Sequence, residues 1–124
     1  MKKDLQYIDI EIDKITRSIE NRTTGDSFQT EILLLDKNDL KSISKTHDWL
    51  FNWRAEFKMV DRDVYKLTIR DNLSIVQGLI SLTERADHVY MHLIESSPFN
   101  RGNNKVYFGV PGNLVAFACK LAFH

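Results

Sequence analysis

The chain has 124 residues, which predicts one domain, and its hydrophobic fraction of 43% is typical of soluble globular proteins. Lys and Arg number 17, as do Asp and Glu, so the formal net charge is zero. This balance disfavours nucleic acid and anionic membranes as partners, because both select a basic surface. Cys119 is the only cysteine, which excludes an intramolecular disulfide, and no apolar run approaches the roughly 20 residues of a membrane helix. We expect a cytoplasmic protein.

Strand patterns open the chain. Ile8, Ile10 and Ile12 alternate with acidic residues, a period of two that predicts a strand with one apolar face. A polar turn at residues 23–26 separates it from residues 28–35, whose continuous apolar run predicts a strand covered on both faces.

The next segment contains a short helix and an ambiguous stretch. Asp36 or Asn38 can cap a helix whose apolar residues Leu40 and Ile43 lie three apart. Residues 49–57 alternate as in a strand, but their spacing also suits a helix, and the pattern leaves both open.

Three strands are predicted in the middle of the chain, over residues 64–69, 74–82 and 88–94. Short polar turns separate them, so we expect an antiparallel meander. Gly78, inside the second of these strands, indicates a bulge or a close backbone approach.

A polar, glycine-containing loop over residues 96–111 leads to a final helix that Gly112 and Asn113 open. In residues 114–123 only Lys120 is charged, which predicts a helix buried on all sides, with Cys119 as a buried, unreactive thiol. The rest of this chain, a second copy, or a missing part of a longer protein would cover that helix.

Two features near the loop suggest chemistry. A glycine-containing loop that enters a helix can bind phosphate or pyrophosphate, although the glycines are also explained by the turn alone. Glu95, at the end of the preceding strand, is the candidate general base, and a solvent-facing strand end is the simpler alternative. The histidine spacings disfavour a metal site, and Trp49 and Trp53 suit core packing better than an acceptor pocket.

Three segments, VYKLTIRDNLSIVQGLISL, HVYMHLIESSPFNRG and GVPGNLVAFACKLAF, make residues 28–123 resemble the first part of the GNAT acyltransferase superfamily. The resemblance implies that acetyl-CoA binds along the fourth strand and that its acetyl group passes to an amine. Glu95, the catalytic candidate from its position, or a water that it orients, would then remove the amine proton. By position it implies that Leu93, Ile94 and Glu95 lie along the pantetheine arm, and that Arg101, Gly102, Gly109, Val110, Gly112 and Asn113 lie near the pyrophosphate.

Two departures from the family pattern matter. Counted from Arg101, the glycine positions of the motif R/Q-x-x-G-x-G/A hold Asn104 and Val106, as if the loop were lengthened. The elements that close the cofactor cleft in the family are absent after His124. The alternative function is therefore a shortened, non-catalytic relative that acts as a binding or oligomerising module, for example a homodimer through the final helix.

Together the elements predict an α+β fold in a single domain, residues 1–124, similar to a partial GNAT domain. We expect a mostly antiparallel sheet of about four to five strands, with two to three helices.

Overall fold

The computed structural model describes residues 17–44 and 47–123, so the strand predicted around Ile10 lies outside the described residues. The helices are α1 (Trp53–Lys58) and α2 (Val110–Ala122), and Asp39–Ser42 and Pro98–Asn100 form single 3₁₀ turns. Neither helix is long and apolar enough to cross a membrane. The strands are β1 (Ser18–Asn21), β2 (Ser27–Leu34), β3 (Asp63–Ile69), β4 (Gly78–Glu84), β5 (Val89–Ser96) and β6 (Tyr107–Phe108).

These strands form one six-stranded sheet in the order β5-β4-β3-β2-β1-β6, and every neighbouring pair is antiparallel. The predicted α+β class, the antiparallel pairing and the central meander are confirmed. The predicted count of four to five strands is wrong for the described part of the chain, because β1 and β6 were not anticipated. Both are too short for a pattern of alternation, and Ile19 is the only fully buried side chain of β1.

An apolar cluster lies on each face of the sheet, and β4 contributes to both. Leu79 belongs to the first cluster, with Leu35, Leu40, Ile43, Trp49, Trp53, Val64 and Val76. Ile80 belongs to the second, under α2, with Ile19, Leu67, Leu82, Val110, Leu114 and Ala118. Consecutive strand residues point to opposite faces, so β4 is the strand buried on both sides. We expected this of β2, but Leu34 there is 60% exposed.

Several boundaries differ from the sequence patterns. The ambiguous stretch becomes the helix α1, because the Asn52 side chain accepts a hydrogen bond from the Ala55 backbone N–H at 3.1 Å and caps its first turn. The short helix predicted around Leu40 is a single 3₁₀ turn. The strand predicted over residues 74–82 begins only at Gly78, since the preceding residues form the loop that joins it to β3.

The final helix is buried on one face only, so the prediction of burial on all sides is wrong. It begins at Val110 rather than beyond Asn113, with Gly109 as its N-cap. Val110, Leu114 and Ala118, spaced four apart, face the sheet, whereas Val115 is 41% exposed and Cys119 is exposed. A single helix on one face of a sheet buries one stripe of its surface, and its outer stripe stays apolar here.

Gly78 marks a close approach of the backbone rather than a bulge. The register of the β4–β5 pair shifts further along, where Ser81 pairs with Leu93 but Leu82 pairs with Met91. A Cβ atom at Gly78 would lie 2.7 Å from Val110 Cγ1 and 3.2 Å from the Glu95 carbonyl oxygen. The absence of a side chain at Gly78 therefore lets the first turn of α2 pack directly against β4.

We predict that Gly78→Ala lowers the free energy of unfolding by about 1–3 kcal/mol, because the added methyl group overpacks the contact between β4 and α2. Urea denaturation measures the loss. Gly112→Ala is the matched control, since nothing lies within 4 Å of its Cβ position, and alanine favours a helix over glycine. Equal stability of the two variants would contradict the close approach.

Candidate functional site

The site lies where β5 ends and the chain turns towards α2. β5 is an outer strand of the sheet, and no described strand pairs with its far side. The chain then makes the 3₁₀ turn Pro98–Asn100, adds β6 to β1 and enters α2. This continuous stretch of chain therefore contains, in order, a strand edge that no described strand pairs with, a polar turn and a helix N-terminus.

The pairing register shows which backbone groups of β5 face this free edge. The Ser97 N–H donates to the Gln77 carbonyl at 3.0 Å, and hydrogen-bonded pairs alternate along an antiparallel ladder. Glu95 and Leu93 therefore bond towards β4, while the N–H and C=O groups of Ile94 and Ser96 point away from it. Ser96 was not a predicted site residue, because only the register identifies it.

Glu95 is 5% exposed, so the alternative of a solvent-facing strand end is wrong. Its Oε2 atom accepts hydrogen bonds from the Leu50 N–H at 2.7 Å and from Arg101 Nη1 at 3.4 Å. Its Oε1 atom accepts from the Phe51 N–H at 3.2 Å and from Trp53 Nε1 at 2.7 Å. The carboxylate thus fastens the segment before α1 to the end of β5.

This geometry gives Glu95 a positioning role that the sequence did not indicate. Both carboxylate oxygens already accept bonds from protein donors, and the side chain retains only 3% of its exposure. Its role as a general base stays a prediction. His92, on the same strand, forms a hydrogen bond between its Nε2 atom and the Thr83 hydroxyl at 2.6 Å, and not with Glu95.

Arg101 is held at the same junction. Its Nη2 atom donates to the Asp48 carbonyl at 2.6 Å, and Asp48 adopts a positive φ of 69°. Its other partner is Glu95, so the guanidinium joins the segment before α1 to the end of β5. Gly102, beside it, is exposed and has a φ of +73°, which makes it a turn residue.

The N-terminus of α2 presents two exposed glycines. Gly109 is the N-cap, with a φ of +95°, and the helix makes its first hydrogen bond from the Asn113 N–H to the Gly109 carbonyl at 3.0 Å. Gly112 lies one residue before Asn113, so its N–H belongs to the helix start and has no intrahelical partner. An anion near it would meet the positive end of the helix dipole without side-chain obstruction.

The other predicted cofactor residues mainly support the fold. Val110, the first residue of α2, is fully buried against the sheet. Asn113 donates to the Ser18 and Gly109 carbonyls and accepts from the Thr30 hydroxyl, so its side chain clamps the helix start to the sheet. Leu93 packs in the first apolar cluster and Ile94 in the second, so their side chains lie on opposite faces.

Neither metal ligands nor known relatives define the site further. Within residues 17–44 and 47–123, no three His, Cys, Asp or Glu side chains group as a metal site. Comparison of the whole chain with protein-family models, curated proteins and solved structures found no match.

We predict that Glu95→Gln lowers the free energy of unfolding by about 2–4 kcal/mol, because the amide has one acceptor atom for four donors and leaves buried donors unpaired. Urea denaturation measures the loss, and the indole N–H signal of Trp53 should shift. Glu31→Gln is the control, since its ion pair with Arg70 is exposed and worth about 0–1 kcal/mol. Similar losses in both variants would argue against the junction.

Proposed function

We propose that the chain binds an acyl-CoA in the manner of the GNAT superfamily, which its three quoted segments resemble. The observation that carries this proposal is the succession, along the chain, of the β5 edge that no described strand pairs with and the exposed start of α2 at Gly109 and Gly112. A thiol cofactor with an amide-bearing arm and a pyrophosphate has the chemistry to use both.

The two surfaces serve different parts of the cofactor. Pantetheine carries two amides, which can form hydrogen bonds with the backbone groups of Ile94 and Ser96 as an added strand does. The pyrophosphate is an anion that suits the free N–H of Gly112 and the dipole of α2. Hydrogen bonds hold both ends of the loop between β5 and α2. Asn100 Oδ1 accepts from the Tyr107 N–H at 3.1 Å, and the Asn113 side chain clamps the helix start.

Acyl transfer would follow from the bound thioester. An amine nitrogen attacks the thioester carbonyl carbon, the carbon–sulfur bond breaks, and the CoA thiolate leaves. The nitrogen loses its proton to Glu95 or to a water that Glu95 orients. The acceptor is a small amine or a peptide amine, held close to the thioester.

We predict that CoA, titrated into the ¹⁵N-labelled protein, causes saturable amide shifts confined to residues 93–113. At about one hundred times its dissociation constant it should add roughly 2.7 kcal/mol of stability. Gly112→Ala should weaken CoA binding about tenfold or more, because its methyl group occupies the space where the phosphate approaches the backbone.

Matched fragments control this experiment. Pantetheine alone should shift Ile94 and Ser96 equally in the parent and in Gly112→Ala. Adenosine 3′-phosphate 5′-diphosphate, the half of CoA that carries the pyrophosphate, should bind the parent about tenfold or more tightly than the variant. If millimolar CoA leaves residues 93–113 unshifted while the protein is folded, acyl-CoA binding is refuted.

The outer face of α2 favours a second candidate function, an oligomerising module. Val115, Cys119, Ala122 and Phe123 are exposed along one stripe of the helix, and Phe123 is 49% exposed. Contiguous exposed apolar surface is typical of an interaction site. In that case α2 would pack against its counterpart in a second copy.

We predict for this candidate that light scattering gives twice the 14.5 kDa chain mass at high concentration. Val115→Lys should restore the monomer mass, because a dimer of the variant would have to bury the lysine charge in its interface. Leu50→Lys is the control, because Leu50 is 66% exposed and lies outside the helix. A parent protein of 14.5 kDa at high concentration would exclude the homodimer.

A further inference from the structure

A cavity of about 320 Å³ opens beside the first apolar cluster, at the turn that follows β5. Ligand pockets begin at about this volume, and it is about ten times the roughly 30 Å³ that one water molecule occupies. The cavity is lined by Ser42, His47, Trp49, Ser74, Ile75, Val76, Ser97, Pro98 and Phe99.

One wall of the cavity carries a hydrogen-bond donor without a protein partner. Trp49 is 5% exposed, yet no group within residues 17–44 and 47–123 accepts a hydrogen bond from its indole N–H. Every fully buried polar side-chain atom in that part of the chain has a partner, so the indole nitrogen must keep contact with solvent. Trp49 is also one of the residues that line the cavity.

Serine hydroxyls supply hydrogen-bond acceptors at the cavity. Ser42 donates its proton to the Asp39 carbonyl at 3.1 Å, and Ser74 donates to Asn72 Oδ1 at 3.2 Å. Each serine oxygen therefore keeps lone pairs that can accept a bond from a ligand. The polar side chains of the described lining are thus the Trp49 indole, the His47 ring and three serine hydroxyls.

Four of the described lining side chains are apolar, namely Ile75, Val76, Pro98 and Phe99. Ile75 and Phe99 are 42% and 41% exposed, although both are large hydrophobic side chains beside a concave surface. A bound apolar body would remove that surface from water. None of the nine described lining residues is Asp, Glu, Lys or Arg, so a charged ligand would lose hydration without meeting a carboxylate, ammonium or guanidinium group among them.

We propose that this cavity binds a small uncharged molecule, a ring that carries one hydroxyl group, with the hydroxyl oxygen accepting from the Trp49 indole and its proton directed to a serine oxygen. The ring would pack between Phe99 and Ile75. This site is independent of the proposed acyl-CoA site, since it uses none of the edge or helix N-terminal groups and its test contains no CoA.

The test uses phenol as the probe and the two indole N–H signals of the ¹⁵N-labelled protein, which has two tryptophans. We expect the Trp49 signal to move saturably at millimolar phenol. The Trp53 signal should stay in place, because that indole is bonded to Glu95 at 2.7 Å and serves as an internal reference for the fold. Trp49→Phe assigns the two signals and should weaken phenol binding several-fold.

Two comparisons complete the experiment. Benzoate should bind at least tenfold more weakly than phenol, and Ser74→Phe should abolish phenol binding because the added ring fills the cavity from an exposed loop position. The proposal is overturned if phenol leaves the Trp49 signal unmoved or moves both indole signals alike. It is equally overturned if benzoate binds as well as phenol, or if Ser74→Phe binds phenol unchanged while its Trp53 signal is native.

Discussion

The hydrogen bonds of the buried Glu95 carboxylate are the interaction on which the end of the fold around β5 depends. Its four donors come from two separate parts of the chain, the segment that leads into α1 and the loop that leaves β5. A buried charge is tolerated only when such donors surround it, and the donors are in turn fixed by it. The same carboxylate thus seats Trp53 in the first apolar cluster and anchors Arg101 at the start of the loop towards α2.

The position of the other end of the loop between β5 and α2 is fixed by packing and hydrogen bonds of the first turn of α2. Gly78 permits Val110 to rest on β4, and Asn113 ties the first turn of α2 to the Ser18 carbonyl and the Thr30 hydroxyl. The exposed Gly109 and Gly112 are consequently held on a helix whose start cannot shift without breaking core packing. A preorganised loop of this kind loses little conformational entropy when a ligand binds, which supports a binding role for it.

Local pattern was sufficient for much of the sheet and insufficient for the site. The alternation and β-branched content of β3 and β5 predicted those strands, and Gly78 signalled a close approach. Glu95 was singled out from sequence, but its burial and its partners more than 40 residues away were not accessible to local reasoning. The cavity beside Trp49 was missed for the same reason, since its lining residues come from three separate parts of the chain.

The sequence by itself determined the α+β class, the antiparallel meander and the polar glycine loop before a final helix, because these follow from side-chain periodicity and turn chemistry between near neighbours. Tertiary structure decided that β4, rather than β2, is covered on both faces, and that α2 buries only one stripe. It also decided that β1 and β6 join the sheet. These outcomes depend on which distant surfaces meet, and burial is a property of the assembled fold rather than of any local segment.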